Sequence, residues 1–236
     1  MKTKKVVMLL GMTMVFMLVA GGCTSNTSES INTNYESDPP KTDLTKTIDL
    51  EEKDDNSQTE ADIPMVELPE DIQGIKAETT PNEELKNLMI EFMEIPDDYL
   101  ESTRYYYNYV DLDDDSSSEI FVLVSGMYTS GSGGSSALIV SENAGRLHVT
   151  QNFTLVNTPV IISDEVINGH HTIIVPYYGN EKTQYSVLTF KDGEYVNVPD
   201  GEFIDSLDGI SGKAIIANDL IQEATLGILG LNLLTE

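Results

Sequence analysis

Residues 104–142 decide the fold, and they read RYYYNYVDLDDDSSSEIFVLVSGMYTSGSGGSSALIVSE. The stretch holds a tyrosine-rich segment, an acidic loop with alternating carboxylates, and two apolar segments joined by a Gly/Ser loop. The apolar runs 120–124 and 137–140 are short and almost continuous, which is typical of strands buried on both faces. We therefore predict that 120–124 is the central strand of a sheet.

Further strand-like segments separated by turn residues follow this stretch. Asn143-Ala144-Gly145, Asn168-Gly169 and Asp192-Gly193 favour tight hairpin turns, because both central residues of such a turn need a positive φ. Short turns between consecutive strands make them antiparallel neighbours. We predict strands at 105–110, 120–124, 137–140, 146–153, 159–163, 171–177, 185–190 and 195–198.

One helix is predicted before these strands and a short one after them. Thr80 can cap the first helix, Pro81 suits its first turn, and Glu83 completes a capping box. Its apolar stripe is Leu85, Leu88, Met89 and Phe92. Residues 220–226 are the short C-terminal helix. The predicted fold class is mainly β (α+β), an antiparallel β-meander of about six to eight strands flanked by these helices.

The N-terminus has the layout of a secretory signal, with three lysines, an apolar run over 6–19, and Ala20-Gly21-Gly22 before Cys23. The small residues before the cysteine resemble the lipobox of bacterial lipoproteins. That resemblance implies a signal peptide over 1–22 and lipidation of Cys23, with acyl chains such as palmitate. The chain would then be lipid-anchored in the cell membrane, facing outside the cytoplasm. The alternative is an uncleaved membrane anchor, although the apolar run is shorter than the roughly 20 residues a spanning helix needs.

Acidic residues dominate the chain, with 40 Asp and Glu against 13 Lys and Arg. Such a surface repels nucleic acid, so we exclude DNA and RNA as partners. Residues 23–79 are polar, acidic and without periodicity, and we predict a disordered tether there. Val66 and Leu68 are candidates for docking on the domain in extended form. Residues 80–236 are expected to form a single β-rich domain.

The acidic loop places oxygen-bearing residues at alternate positions, namely Asp111, Asp113, Asp115, Ser117 and Glu119. Calcium prefers six to eight oxygen ligands, and this spacing can supply most of them, with a backbone carbonyl from Ser117. The pattern resembles one loop of the FG-GAP/VCBS-type repeats, which implies calcium binding. The alternative is a solvated acidic turn between two strands.

The Gly/Ser loop comprises Ser130, Gly131, Ser132, Gly133, Gly134 and Ser135. An acidic loop, an apolar strand and a Gly/Ser loop in this order resemble the periplasmic inhibitors of invertebrate-type lysozyme. That resemblance implies insertion of the loop into the active-site cleft of a lysozyme. The alternative is a flexible hairpin loop.

Other residue types give weaker indications of chemistry. The adjacent His170 and His171 would point to opposite faces of a strand, so we interpret them as surface turn residues. The tyrosines of 105–109 favour core packing, with an exposed recognition stripe as the alternative. The segment after Cys23 has no cysteine nucleophile and no Gly-x-Ser-x-Gly motif.

Together these patterns predict a membrane-anchored extracytoplasmic lipoprotein that acts as a non-enzymatic binding module. Calcium is the expected cofactor, and a protein or a glycan is the expected ligand. Two alternatives stay open. One is a lysozyme inhibitor acting through the Gly/Ser loop, and the other is an extracytoplasmic hydrolase with no recognisable motif.

Overall fold

The computed structural model describes residues 63–179 and 182–234, which lie within one compact unit. The predicted signal peptide, Cys23 and residues 24–62 of the predicted tether fall outside the described residues. No helix in the described ranges is long and apolar enough to cross a membrane.

The described chain is mainly β, which confirms the predicted fold class. Its strands are β1 (Ile72–Gly74), β2 (Arg104–Val110), β3 (Glu119–Ser125), β4 (Ser130–Gly131), β5 (Gly134–Asn143), β6 (Arg146–Val156), β7 (Val160–Ile167), β8 (His170–Tyr177), β9 (Gln184–Leu188), β10 (Phe190–Lys191), β11 (Glu194–Tyr195), β12 (Glu202–Ile204), β13 (Gly212–Ile216) and β14 (Leu231–Asn232). Its helices are α1 (Glu83–Phe92), α2 (Asp97–Leu100) and α3 (Leu220–Leu226), with a 3₁₀ turn at Val198–Asp200.

These strands form two six-stranded sheets and a small hairpin, where we expected a single meander. The first sheet runs β14-β2-β3-β5, with β4 and β6 also paired to β5. The second sheet runs β1-β13-β7-β8-β9-β12, and β10 pairs with β11. All of these pairs are antiparallel except β1 with β13. As predicted, β3 lies inside its sheet, between β2 and β5.

The central strands β2, β3 and β5 of the first sheet are buried on both faces, and successive side chains along each strand point to opposite faces. Tyr106, Phe121 and Ile139 belong to a core shared with Ile173 and Ile215 of the second sheet. The opposite face of the first sheet packs against α1, in a second cluster that contains Tyr105, Tyr107, Leu85, Met89 and Val122. The tyrosines at 105–107 are therefore core residues, as favoured above, whereas Tyr109 is largely exposed.

The local turn predictions agree with the backbone. Ala144, Asn168 and Asp192 have positive φ values of 53°, 55° and 57°, and each is followed by a positive-φ glycine. These pairs connect β5 to β6, β7 to β8 and β10 to β11. The primed turn geometry that the Asn-Gly and Asp-Gly signals indicate is thus present.

The helix start differs from the prediction by two residues. Asn82, not Thr80, is the N-cap of α1, and its side-chain oxygen accepts a hydrogen bond from the Leu85 amide at 3.0 Å. The Thr80 carbonyl instead accepts a hydrogen bond from the Tyr107 hydroxyl at 2.8 Å. Thr80 therefore contacts the sheet through its carbonyl and does not cap the helix.

Residues 63–79 pack on the domain, although we assigned them to the disordered tether. Strand β1 pairs in parallel with β13, and Ile72 is only 4% exposed. The Val66 amide donates a hydrogen bond to the Ala217 carbonyl at 2.9 Å, and Leu68 packs against the cluster around Ile72. This agrees with the docking expected for Val66 and Leu68. The segment is ordered because β1 adds to the edge of the second sheet beside β13. The polar composition of the segment does not indicate this pairing.

Candidate metal centre

The acidic loop is held at both ends by antiparallel strands. The ladder between β2 and β3 ends at the pair Val110 and Glu119, so residues 111–118 form a closed connection. Leu112 is buried in the core between the sheets. Its carbonyl accepts a hydrogen bond from the His171 amide of β8 at 2.8 Å. The loop is thereby fastened to both sheets.

Three of the predicted ligands converge in this loop. One carboxylate oxygen from each of Asp111, Asp113 and Asp115 lies within 4.8 Å of the others. Backbone amides orient all three groups, because Ser116 N donates to Asp111 Oδ2 at 3.0 Å, Asp115 N to Asp113 Oδ1 at 3.3 Å, and Ser117 N to Asp115 Oδ1 at 2.7 Å. Each carboxylate thus keeps a second oxygen that is able to contact a cation.

The Asp111 carboxylate has an unsatisfied oxygen. Its Oδ1 atom is buried and makes no hydrogen bond. A buried carboxylate oxygen without a partner is unfavourable, and native structures usually satisfy such atoms with protein groups, water or an ion. The converging donors are all hard oxygen atoms, which are suitable ligands for a hard cation such as calcium or magnesium.

Glu119 and Ser117 stand apart from this group of three. The Glu119 Oε2 atom accepts a hydrogen bond from the Leu112 amide at 3.1 Å. Burial raises the pKa of Glu119, backbone hydrogen bonds oppose the shift, and the charges of Asp113 and Asp115 add to it. The Ser117 amide donates a hydrogen bond to Asp115. The Ser117 carbonyl is the group that we predicted to face the ion. A bound cation would favour the ionised form of Glu119.

The loop turns through two residues in the left-handed region. Asp114 has a φ of 59° and Ser116 a φ of 71°, so neither adopts the conformation that L-residues prefer. These two turns bring the alternate aspartates 111, 113 and 115 to the same side of the loop. The backbone therefore carries strain at the point where the carboxylates meet.

Both histidines of β8 lie beside the acidic loop. We had interpreted them as surface turn residues, and the structure instead places them in a strand next to the aspartates. His171 Nε2 is 3.2 Å from Asp114 Oδ1, and its Nδ1 is 2.8 Å from the Ser163 carbonyl oxygen. Both partners are acceptors, which suits a doubly protonated ring. His170 Nε2 is 4.0 Å from Asp113 Oδ2. As expected for adjacent strand residues, the two rings lie on opposite faces, so each meets a different aspartate.

A cavity of about 220 Å³ opens next to the loop, and Glu119, His170, Gln151 and Tyr195 are among the residues that line it. The His170 ring stacks on Phe190 with 3.5 Å between ring centroids. Gln151 is fixed by two hydrogen bonds to the Tyr195 backbone, at 2.6 Å and 2.8 Å. The cavity combines apolar side chains with a few fixed polar groups, which is a property of ligand sites. The sequence alone did not indicate it, because its residues come from six separate strands and the acidic loop.

The Gly/Ser loop is a tied hairpin in the structure. Ser130 Oγ accepts a hydrogen bond from the Gly126 amide at 3.1 Å and lies 2.9 Å from Ser135 Oγ. Gly134 has a φ of +144°, and a Cβ atom there would be 2.7 Å from the Leu155 carbonyl carbon. The close approach of two strands therefore requires glycine at this position. Gly131 and Ser132 form the exposed tip of the loop.

Comparison of the chain with family models, with curated proteins and with solved structures found no match. The proposals below accordingly rest on the sequence and on the geometry of the described residues.

Proposed function

We propose that this chain is a membrane-anchored extracytoplasmic lipoprotein whose β-rich domain is a non-enzymatic binding module. A calcium ion in the 111–119 loop stabilises the domain. The convergence of Asp111, Asp113 and Asp115, with the unpartnered Asp111 Oδ1 atom, is the observation that supports calcium.

The membrane anchor is supported by the sequence of the first 23 residues alone. Loss of the signal peptide would remove Lys2, Lys4 and Lys5 and leave 10 basic against 40 acidic residues, a formal charge near −30. Such a chain stays in solvent, with only its acyl groups in the bilayer. Metabolic labelling with a fatty acid should mark the wild-type chain and spare the Cys23→Ser variant. Equal labelling of both chains would contradict lipidation at Cys23.

Calcium explains why acidic side chains converge in a chain that is already strongly acidic. Like charges at short range repel, and neutral amides compensate them only in part. A divalent cation at the meeting point converts this repulsion into attraction. It also gives a partner to the buried Asp111 oxygen. The loop would therefore be stabilised mainly in the presence of the ion.

A calcium titration followed by thermal unfolding tests this part of the proposal. At a free concentration of 100 times Kd, one calcium ion should add about 2.7 kcal/mol to the free energy of unfolding. For a domain of this size that corresponds to a rise in Tm of roughly 5–10 °C. The Asp113→Asn variant should lose most of this rise, whereas Asp98→Asn in α2 should retain it. An unchanged Tm at millimolar calcium would refute the site.

The second candidate function is lysozyme inhibition. It is based on exposed side chains at the Gly/Ser end of the first sheet. Met127 is 83% exposed and Tyr128 is 46% exposed, and both precede the exposed loop tip. Neighbouring exposed apolar residues are typical of protein contact sites. The acidic charge of the chain would also attract a basic lysozyme.

A lysozyme activity assay with and without the purified protein separates this candidate from the others. Inhibition should be lost in Met127→Asp and kept in Ile221→Asp, because Ile221 is equally exposed but lies on α3. Full lysozyme activity at a large excess of the protein would remove this candidate and leave the calcium site unaffected.

A further inference from the structure

A second cavity, of about 470 Å³, lies where the segment before α1, strand β2 and the segment after α3 meet. Tyr105, Tyr106, Ile228 and Leu231 contribute aromatic and aliphatic surface to it, and Glu78 and Glu223 also line it. Both charged residues among its lining groups are acidic. None of the described lining residues carries a positive charge, so the cavity favours a cation over an anion.

Glu223 occupies an unusual position for a glutamate on a short helix. It is only 2% exposed, whereas its helix neighbour Ile221 is 84% exposed. Burial of an ionisable carboxyl group is costly unless it gains partners. Helix α3 thus directs a carboxyl group inward and leaves an isoleucine in solvent, which is the reverse of the arrangement that packing alone favours.

The two carboxylate oxygens of Glu223 differ in their hydrogen bonding. Oε1 accepts a hydrogen bond from Asn218 Nδ2 at 2.6 Å, and Asn218 Oδ1 in turn accepts one from the Ala77 amide at 2.8 Å. Oε2 is buried and makes no hydrogen bond of acceptable geometry, although the Tyr106 hydroxyl faces the same carboxylate. The hydroxyl oxygen of Tyr106 is already an acceptor for the Gly230 amide at 3.1 Å.

We propose that this cavity binds a small aliphatic amine, whose ammonium group pairs with Glu223 Oε2. The ammonium would replace the missing partner of the buried oxygen. The ring of Tyr106 offers a π surface that attracts a cation, and Ile228 and Leu231 pack against the aliphatic part. Asn218 is a positioning residue, since it fixes the carboxylate through Oε1. This site lies apart from the acidic loop and does not depend on calcium.

Isothermal titration with pentylamine, in the presence of a calcium chelator, tests the site directly. We expect one saturable site with a Kd of about 1 mM or below, which six non-hydrogen atoms reach at moderate ligand efficiency. The matched alcohol, 1-pentanol, should not bind measurably because it lacks the charge. No saturable binding of pentylamine, or equal binding of the alcohol, would overturn the proposal.

The variant Glu223→Gln keeps an oxygen for the Asn218 hydrogen bond and removes the charge. It should weaken pentylamine binding at least about tenfold, while Glu78→Gln at the exposed rim should weaken it less. Equal affinity of wild type and Glu223→Gln would refute the role of Glu223. The pH dependence of pentylamine binding to the wild-type protein is an independent test that needs no variant.

Affinity in the wild type should fall as the pH is lowered, since only the ionised carboxylate pairs with an amine. Burial raises the pKa of Glu223, the hydrogen bond from Asn218 and the nearby Tyr106 hydroxyl oppose this, and the charge of Asp219 adds to it. The loss of binding should therefore begin above the usual range for a glutamate. An affinity that is constant down to the pH where exposed glutamates protonate would contradict the proposal.

Discussion

Single residues in the acidic loop determine how closely the three aspartates approach one another. Ser116 has a φ of 71°, which costs an L-residue energy that glycine does not pay. Replacement of Ser116 by glycine should raise the free energy of unfolding by roughly 0.5–1 kcal/mol, after allowance for the extra flexibility of glycine.

Urea denaturation in a chelating buffer measures this change. Ser118→Gly is the matched control, since Ser118 is not among the positive-φ residues. It should lose stability rather than gain it, because glycine there only adds chain entropy. A loss of stability in Ser116→Gly as well would mean that residue 116 is not strained.

His171 should make the stability of the domain depend on pH. Burial lowers the pKa of His171, but the hydrogen bonds to Asp114 and to the Ser163 carbonyl, together with the charges of Asp114 and Asp164, raise it overall. A raised pKa means that the protonated ring favours the folded state. Its contribution is fully present below the unfolded pKa of about 6.5 and disappears as the pH rises through the higher folded value.

The variant His171→Gln isolates this contribution. The difference in stability between wild type and variant should be larger near pH 5.5 than near pH 9, by less than about 1 kcal/mol because Asp114 is exposed. Urea denaturation at both pH values in a chelating buffer gives the two differences. Equal differences at the two pH values would show that the ion pair with Asp114 does not form.

The acidic site could be predicted from sequence to the extent that it is local. Asp111, Asp113 and Asp115 alternate along one loop, and this spacing predicts their convergence, which the left-handed turns at Asp114 and Ser116 complete. The positions of His170 and His171 could not be predicted, because they reach the loop through the packing of the second sheet. The separation of Glu119 from the group of three also depends on tertiary contacts, since its carboxylate bonds to the Leu112 amide.

Among the elements, strand β1 shows that the folded domain includes residues well before α1. Ile72 of the edge strand β1 is buried among apolar residues that include Ala214 of β13, whereas Gln73 of the same strand is exposed. Ile72→Ala should therefore lower the free energy of unfolding by about 2–4 kcal/mol. Gln73→Ala should change it by no more than about 0.5 kcal/mol.

Chemical denaturation of the two variants measures the contribution of β1. Wild-type stability in Ile72→Ala would contradict the inclusion of residues 72–74 in the folded domain.

Hairpins and helices were predictable from sequence where a local signal decides them. The φ > 0 requirement at Asn168-Gly169 and Asp192-Gly193 is visible in two adjacent residues, and α3 begins at the Asp219 cap. The division into two sheets was not predictable, because β13 pairs with β7 and β1 across long separations in sequence. A continuous apolar run indicates that both faces of a strand are covered, but not which element covers each face.

At the scale of the whole molecule, acidic residues occur along the entire chain, and the 111–119 loop contains a local cluster of them. We propose that the 40 acidic residues disfavour contact with nucleic acid and favour cations or basic partners. The two sheets fasten the 111–119 loop from both sides, so a bound ion would connect them through Leu112 and His171. Calcium is therefore proposed to stabilise the domain as a unit rather than a single turn.

A crystal structure grown in calcium tests this account most directly. It should show one ion in the loop, at 2.3–2.6 Å from oxygens of Asp111, Asp113 and Asp115, as is usual for calcium. The Glu119 carboxylate and the Ser117 carbonyl should complete the coordination, and Asp111 Oδ1 should be one of the ligands. A loop without an ion at saturating calcium, with Asp111 Oδ1 still unpartnered, would contradict the account.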